Sequence, residues 1–409
     1  MSISRRLLLG AGAASAVVPW VKPARAAGGV VRIGVLNDQS GPYRDVSGVN
    51  SVVCVKQAVQ DFGAASKGLA VEVLAADHQN KPDVGAGIAR QWFDRDGVDM
   101  IIDVPTSSVG LAVASVCREK NRAYINVGAG TAELTGKQCA PTTIHWAYDT
   151  WMLAHSTGGA LVKAGGDTWY FLTADYVFGH DLERQTSGFV NDAGGKVLGH
   201  STYPFPSTSD FSSFLLQAQA TGAKVLGLAN AGADTVNSIK QAHEFGLTGK
   251  MRIAALLMFI TDVHALGLDT AQGLVLTESF YWDMNEKTRA FAARIKDKTP
   301  NNMPNMVQAG CYAGTIHYLK AVADMGVAAA KADGAASVAR MKAMPTEDDA
   351  FGTCHIREDG RVLVPAYLFE VKKPSESKGA WDYYKLMVTT PGDQAFRPLK
   401  DGNCSLIHA

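Results

Sequence analysis

Short apolar runs alternate with amphipathic stretches along most of the chain. Val30–Leu36, Ala70–Ala75, Ile101–Val104 and Ala123–Val127 read as buried strands. Val49–Phe62 and a stretch opening at Pro82, a good first-turn residue, read as helices. So does Ser108–Lys120, with Val109, Ala112, Val113 and Val116 at helical spacing. Strands that alternate with helices imply parallel neighbours and helices on both faces of the sheet. Ligands of such sheets sit beyond the carboxyl ends of the strands. The turns Asn37–Tyr43, Pro105–Ser108 and Gly128–Thr131 should therefore meet at one edge. Ser107, Ser108 and Thr131 offer hydroxyls there, and Ala129 and Gly130 offer backbone N–H groups suited to a small carboxylate. The plainer alternative is that Ser107 or Ser108 only caps its helix.

After Gly136 the register changes. Ile144–Tyr148 reads as a short extended piece, and Asp149 opens a helix that runs to Val162. A second strand–helix series then follows, with strands expected at Thr168–Thr173, Lys196–Tyr203, Lys224–Leu228, Arg252–Leu257 and Gly273–Thr277. Helices are expected to run to Asp192, over Ser209–Ala220 and to Phe245. The strand ends of this series are rich in aromatic residues: Tyr176, Phe178, Phe259, Tyr281 and Trp282. Helices over Glu286–Lys298, Met306–Met325 and Ala335–Met344 precede a return to strands between Phe351 and Thr389. The pattern describes two Rossmann-like lobes, with the chain crossing between them more than once. Expected bounds are 27–147 plus about 280–347 for the first lobe and 148–279 plus about 348–395 for the second. The tail, 396–409, is expected to return to the first lobe.

Composition narrows the class. Apolar residues make up 47% and charged residues 19%, the mark of a globular chain with ample core. Lys+Arg 39 balances Asp+Glu 39, which leaves no basic footprint for nucleic acid or a membrane surface. Residues 1–26 read as an export signal: Arg5-Arg6 precede an apolar stretch to Val18, and Ala24-Arg25-Ala26 suits a signal peptidase. The paired arginines favour the twin-arginine route over the general secretory one. Either route leads out of the cytoplasm, and the apolar stretch is too short to span a bilayer, which takes about 20 residues.

Export permits disulfides. Of six cysteines, Cys54, Cys117 and Cys311 lie in apolar helical patterns as small buried thiols, and Cys354 is left open. Cys139 follows a turn and Cys404 lies in the tail, so a Cys139–Cys404 bridge is expected to pin the tail. No CxxC pair, HExxH helix, GxSxG elbow or GxxxxGK[ST] loop occurs, so no metal, cofactor or catalytic group is expected. Gly85-Ala86-Gly87 falls mid-helix and reads as close helix packing. Two similar lobes with polar and aromatic turns at facing strand ends suit a hinged clamp around a small molecule.

The chain resembles the periplasmic solute-binding proteins of ABC importers, in the Leu/Ile/Val-binding (type I) family. The resemblance rests on Gly34–Tyr43, Asp77–Asn80, Gly128–Thr131, His145–Thr150, Thr173–Gly179, Leu228–Gly232, Phe280–Asp283 and Trp381–Lys385, and it covers essentially all of the mature chain. It implies three crossover strands, a periplasmic location, and a permease and ATPase complex as partners. It also implies a ligand carboxylate on Ser107 or Ser108 and on the backbone at Ala129 and Thr131, with Tyr43 closing over it. Tyr176, Asn230 and Phe259 would face the ligand from the second lobe, with Tyr148 at one crossing and Tyr281-Trp282 near another. Amino-acid-binding members place an acid on the second lobe for the α-ammonium. Here the corresponding turn is Met258-Phe259-Ile260, without an acid before Asp262. A keto acid or an aromatic acid is therefore preferred over a branched-chain amino acid, although Asp175 or Asp234 could supply the charge. Two rival readings are an exported α/β hydrolase or amidase acting through Ser108, and a binding protein that feeds a sensor.

Overall fold

The computed structural model describes residues 29–299 and 302–407. The expected export signal lies outside them. The first sheet contains β1 (Val30–Asn37), β2 (Ala70–Asp77), β3 (Met100–Asp103), β4 (Ala123–Asn126) and β5 (Thr143–His145). They run parallel in the order β2-β1-β3-β4-β5. β3 and β4 are buried throughout, as expected of strands covered by helices on both faces.

The second sheet contains β6 (Thr168–Ala174), β7 (Lys196–Tyr203), β8 (Val225–Ala229), β9 (Arg252–Ala255) and β10 (Val275–Glu278), with β11 (Ala366–Val371) and β12 (Tyr384–Thr390) added at one edge. Its order is β12-β11-β10-β9-β8-β6-β7. The first five of these strands are parallel, and β11 and β12 are antiparallel. Counted from the start of each series, both sheets run second, first, third, fourth, fifth. The two lobes are thus one plan used twice. In each, the order reverses beside the first strand, and a crevice opens there at the carboxyl ends.

Helices fall close to their sequence patterns. Gly48–Phe62, Pro82–Gln91, Ser107–Glu119 and Val177–Asp192 cover the sheets, and Pro82 occupies the first turn of its helix. Asp149 caps Thr150–Lys163 by accepting from Met152 N at 2.9 Å. The helix expected from Ser209 starts later, at Ser212, because Asp210 takes the N–H of Ser212 in a local turn. Gly85 packs where a Cβ would lie 2.4 Å from Val109 Cγ1, so it lets two helices approach.

Three connections join the lobes. The first follows β5 through Trp146–Asp149. The second leaves β10 and leads to the Met306–Met325 helix, which packs on Gly48–Phe62 and β3. The third returns to β11 and runs beside the first: His145 N donates to Gly360 O at 2.9 Å, and Val362 N to His145 O at 3.0 Å. Arg361, fully buried, donates to Tyr148 O at 3.1 Å and to Asp149 Oδ2 at 3.4 Å, and its guanidinium lies 4.4 Å from the Phe396 ring centre.

The tail comes back to the first lobe. Arg397 donates to Ala132 O at 3.1 Å, and Cys139 and Cys404 are disulfide-bonded with their Cα atoms 5.6 Å apart. Cys54, Cys117, Cys311 and Cys354 are free and buried. Among the described residues no helix is long and apolar enough to cross a membrane.

The bridge closes a loop of 265 residues, for which chain entropy sets a ceiling of about 5.6 kcal/mol. Replacing Cys404 with Ser is expected to lower unfolding free energy by about 2–4 kcal/mol. Peptide mapping without reductant should recover a linked Cys139–Cys404 pair, and two free thiols there would contradict the bridge.

Candidate functional site

The site begins with Asp38, just past β1. Its buried carboxylate accepts from Ser40 N, Gly41 N and Tyr43 N at 3.2, 2.6 and 2.8 Å, winding the chain into a turn that aims Tyr43 at the other lobe. It also accepts from Asn80 Nδ2 at 2.7 Å, and Asn80 Oδ1 in turn accepts from Thr106 Oγ1. The turns after β1, β2 and β3 are thereby tied into one surface.

The turn after β4 is saturated with internal bonds. Asn126 donates to Ala129 O at 2.8 Å and accepts from Ala129 N at 3.3 Å. Tyr148 OH donates to Gly128 O at 2.5 Å, Thr150 N to Gly130 O at 2.8 Å, and Thr131 N to Ser107 Oγ at 3.2 Å. Ser107 and Thr131 are thus neighbours on one wall, each fully buried. Ser108 is only partly buried. Among the described residues neither serine hydrogen-bonds a histidine.

The second lobe meets this wall with rings. Tyr43, Val46, Pro105, Gly128 and Tyr148 face Tyr176, Phe178, Ala231, Leu257 and Phe259 around one cavity. Tyr43 OH and Tyr176 OH are 2.6 Å apart, and Phe205 stacks on both rings with centroids at 5.3 and 4.5 Å. Phe259 meets Tyr148 edge-on at 6.3 Å. Pro42 O accepts from Ala233 N at 3.1 Å across the same gap. The space between them measures about 10 Å³, room for about one water, so a larger molecule needs the lobes to part.

Beside the cavity, Asp181 of the second lobe accepts from Thr131 Oγ1 and Ala132 N of the first, both at 3.2 Å, and from Thr150 Oγ1 at 2.6 Å. Closure therefore engages the β4 turn from both sides. Burial, then neighbouring anionic or phenolic groups, holds Tyr43 and Tyr148 well above the usual phenol range, so both remain neutral donors.

Of the sequence candidates, Tyr43, Tyr148, Tyr176 and Phe259 line the cavity. Ser107, Ala129, Gly130 and Thr131 are buried in the turns behind Pro105 and Gly128 and do not line it, nor does the partly buried Ser108. Four lie elsewhere. Tyr281 OH and Trp282 Nε1 both donate to Trp381 O, at 3.1 and 2.9 Å, and Tyr281 packs against Phe369 and Tyr384 inside the second lobe. Asn230 spends its amide on Thr235 and Ser238, so Ala231 takes the wall position. Asp175 is exposed and pairs with His180 at 2.8 Å. Asp234 is buried but accepts from Tyr203 OH at 2.8 Å; burial raises its carboxyl to about 7, against the pull of that bond.

Phe205, Pro105 and Asp181 were not singled out from the sequence. Only Phe205 had a local sign, its place between Pro204 and Pro206. A wider groove of about 660 Å³ lies near the starts of β9 and β10, the opposite end from that at which such sheets bind ligands.

This arrangement defines a two-lobed clamp with its cleft at paired strand ends. The model of the periplasmic binding protein family matches residues 30–380, and the chain belongs to that family. It is 22% identical to the Leu/Ile/Val-binding protein homolog 4 of Brucella abortus over 99% of both chains. A periplasmic binding protein of Burkholderia mallei is 50% identical over 92% of this chain and 99% of its own, with a TM-score of 0.88. A branched chain amino acid ABC transporter periplasmic ligand-binding protein of Burkholderia xenovorans is 36% identical over 92% and 99%, with a TM-score of 0.79. A Rhodopseudomonas palustris solute-binding protein shares the fold, at 19% identity over 89% and 97% and a TM-score of 0.79.

Gly232 offers a test of closure. Its φ of +59° disfavours a side chain, and a Cβ there would lie 2.6 Å from Pro42 O of the opposite lobe. Gly232→Ala is expected to cost about 1–3 kcal/mol of stability and to hold the lobes apart. An increased radius of gyration in solution scattering, with unchanged circular dichroism, would register it.

Proposed function

We propose that this protein captures a small carboxylate between its lobes for an ABC importer, with an aromatic acid or a 2-oxo acid favoured over an α-amino acid. The observation that carries this reading is the cavity wall itself. It contains Tyr43, Tyr148, Tyr176, Phe178 and Phe259, and no Asp or Glu. Aromatic rings bury a flat apolar body well, about 150–250 Å² each. An ammonium brought into the same space without an anion would be costly. In the proposed complex the carboxylate lies toward Ser107 and Thr131, behind the Pro105 and Gly128 wall. The N–H groups of Ala129 and Thr131, now given to Asn126 and Ser107, are released to it as the lobes part. Tyr43 and Tyr176 hydroxyls, which now meet each other, would be free to donate to the ligand once it lies between them.

The Rhodopseudomonas palustris protein of the same fold is in complex with benzoate, and another from that genus with 3,4-dihydroxy benzoic acid. A branched-chain amino acid is the second reading, favoured by the Burkholderia xenovorans protein's description at 36% identity. Release to a permease and ATPase in the inner membrane, from a periplasmic location, belongs to this proposal. So does the absence of bond-breaking, since among the described residues neither Ser108, the nucleophile a hydrolase would use, nor Ser107, which receives a backbone N–H, is hydrogen-bonded to a base.

A thermal-shift panel tests it. Benzoates or 2-oxo acids at about 100 times Kd should add about 2.7 kcal/mol of stability, a shift of several degrees. Leucine and valine should add nothing at the same concentration. The reverse pattern would replace the first reading with the second. Ser107→Ala is expected to weaken binding at least tenfold, the worth of one charge-assisted hydrogen bond, about 1.5–3 kcal/mol.

A further inference from the structure

We propose that Glu278 is a positioning residue for ligand capture, a single buried carboxyl tying the second-lobe turn that carries Phe259 to the first-lobe loop that carries Tyr43. Glu278 ends β10, just before the second connection, and is fully buried. Its Oε1 accepts from Tyr384 OH at 2.7 Å and from Ile260 N at 3.1 Å; its Oε2 accepts from Met306 N at 3.3 Å. Those two backbone donors belong to different halves of the clamp.

On the second-lobe side, Ile260 directly follows Phe259 of the cavity wall. Phe259 N is itself held by Asp262 Oδ2 at 3.0 Å. Two consecutive N–H groups are therefore claimed by two buried carboxyls, which sets the direction of the Phe259 ring. On the first-lobe side, Met306 opens the long helix that packs on Gly48–Phe62. Asn305 caps that helix through Val307 N and Gln308 N, and its Nδ2 donates to Val46 O at 2.9 Å. Gln308 Nε2 reaches Asp45 O at 3.2 Å and Val46 O at 3.3 Å. Val46 and Tyr43 line the cavity. The path from Phe259 to Tyr43 thus passes through one carboxyl beside the hinge, and rotating one lobe changes the spacing of the two donors it must satisfy.

The tie also responds to protons. Facing Glu278 are Tyr384 and Asp262, with Asp45 beyond Asp262; burial pushes Glu278 up to about 8 and Asp262 to about 7, partly opposed by the N–H donors. Two donors already occupy Oε1, so a proton goes to Oε2 and displaces the Met306 N–H. The tie to Met306 therefore tightens as pH rises through about 8 and loosens below it. Stability moves the other way. A carboxyl raised in the folded state costs nothing below the ordinary value of 4.5, and stability is lost progressively as pH rises from there to about 8.

The role in capture rests on the cavity reading above, but the tie can be tested without a ligand. Hydrogen exchange of the Ile260 and Met306 amides is followed in the full-length protein and in Glu278→Gln, between pH 6 and pH 9. In the wild type, Met306 protection, corrected for intrinsic exchange, should rise severalfold across that range. In Glu278→Gln the amide oxygen stays with Tyr384 and Ile260. Met306 should then exchange at least tenfold faster, with no pH dependence, while Ile260 stays protected. Benzoate binding is measured separately, so a failed ligand assignment leaves the exchange result intact. Equal Met306 protection in both proteins, or loosening shared by all of β10, would overturn the proposal. If Glu278→Gln does not fold, a flat wild-type Met306 profile from pH 6 to pH 9 overturns it alone, and a rising one supports it.

Discussion

The clamp depends on a buried guanidinium. Arg361 has no solvent exposure, and its charge must be balanced by what surrounds it. Asp149 Oδ2, Tyr148 O and Val362 O accept from it, and Phe396 presents a ring face. Burial draws its pKa down only to about 10, with Asp149 opposing, so it stays a cation. Removing one partner of such a pair leaves an unbalanced charge at about 3–5 kcal/mol. The groups that satisfy Arg361 lie on the first and third connections and at the tail. One side chain thus fixes how these segments run past each other. His145, packed alongside, is kept neutral by burial and by the Arg361 charge. Crossings tied together in this way suit rotation of the lobes about them, the hinge mode of closure.

Above that pivot, the two halves of the cleft are built by different physics. The first-lobe turns behind the wall are polar and pre-organised: Asp38, Asn126 and Ser107 bond the turn backbones, and Asn80 ties Asp38 to Thr106, before any second lobe arrives. The second-lobe wall is mostly rings, whose contacts are large and tolerant of direction. Closing such a pair needs few new directional bonds. The Tyr43–Tyr176 hydroxyl contact and Ala233 N to Pro42 O are among them. Asp181 adds another where it meets Thr131 and Ala132. A ligand that replaces the tyrosine contact would inherit a site already oriented on one side and adaptable on the other.

Much of this was legible in the chain because it follows from periodicity. Strand and helix limits differ from the pattern mostly by a residue or two, and the repeated strand order follows from two similar strand–helix series. The aromatic strand ends pointed to Tyr176, Phe178 and Phe259, and turn composition pointed to Tyr43 and Thr131. Partner choice was not legible. Tyr281 and Trp282 look like cleft residues until Trp381, distant in sequence, takes both their donors. Asn230 looks free until its own helix turn uses the amide. Arg361 and Glu278 sit in stretches that resemble any turn and any strand end. Their roles arise only when connections from different parts of the chain are brought side by side.

The same bookkeeping bears on what the cleft can accept. Asp38, Asp103, Asp149, Asp181, Asp234, Asp262 and Glu278 are all buried, and each already accepts from a protein donor. Burial holds Asp103 near 6 and Asp234 near 7, so these two part with their protons reluctantly. An ammonium entering the cavity would have to draw one of these anions away from its present partner, and the nearest wall atoms are ring carbons and neutral phenols. A carboxylate asks for less. It needs donors, and the Tyr43 and Tyr176 phenols on the wall can supply them without any buried charge being uncovered. That asymmetry, rather than any single side chain, is the physical ground of the proposed preference for an acid without an amine.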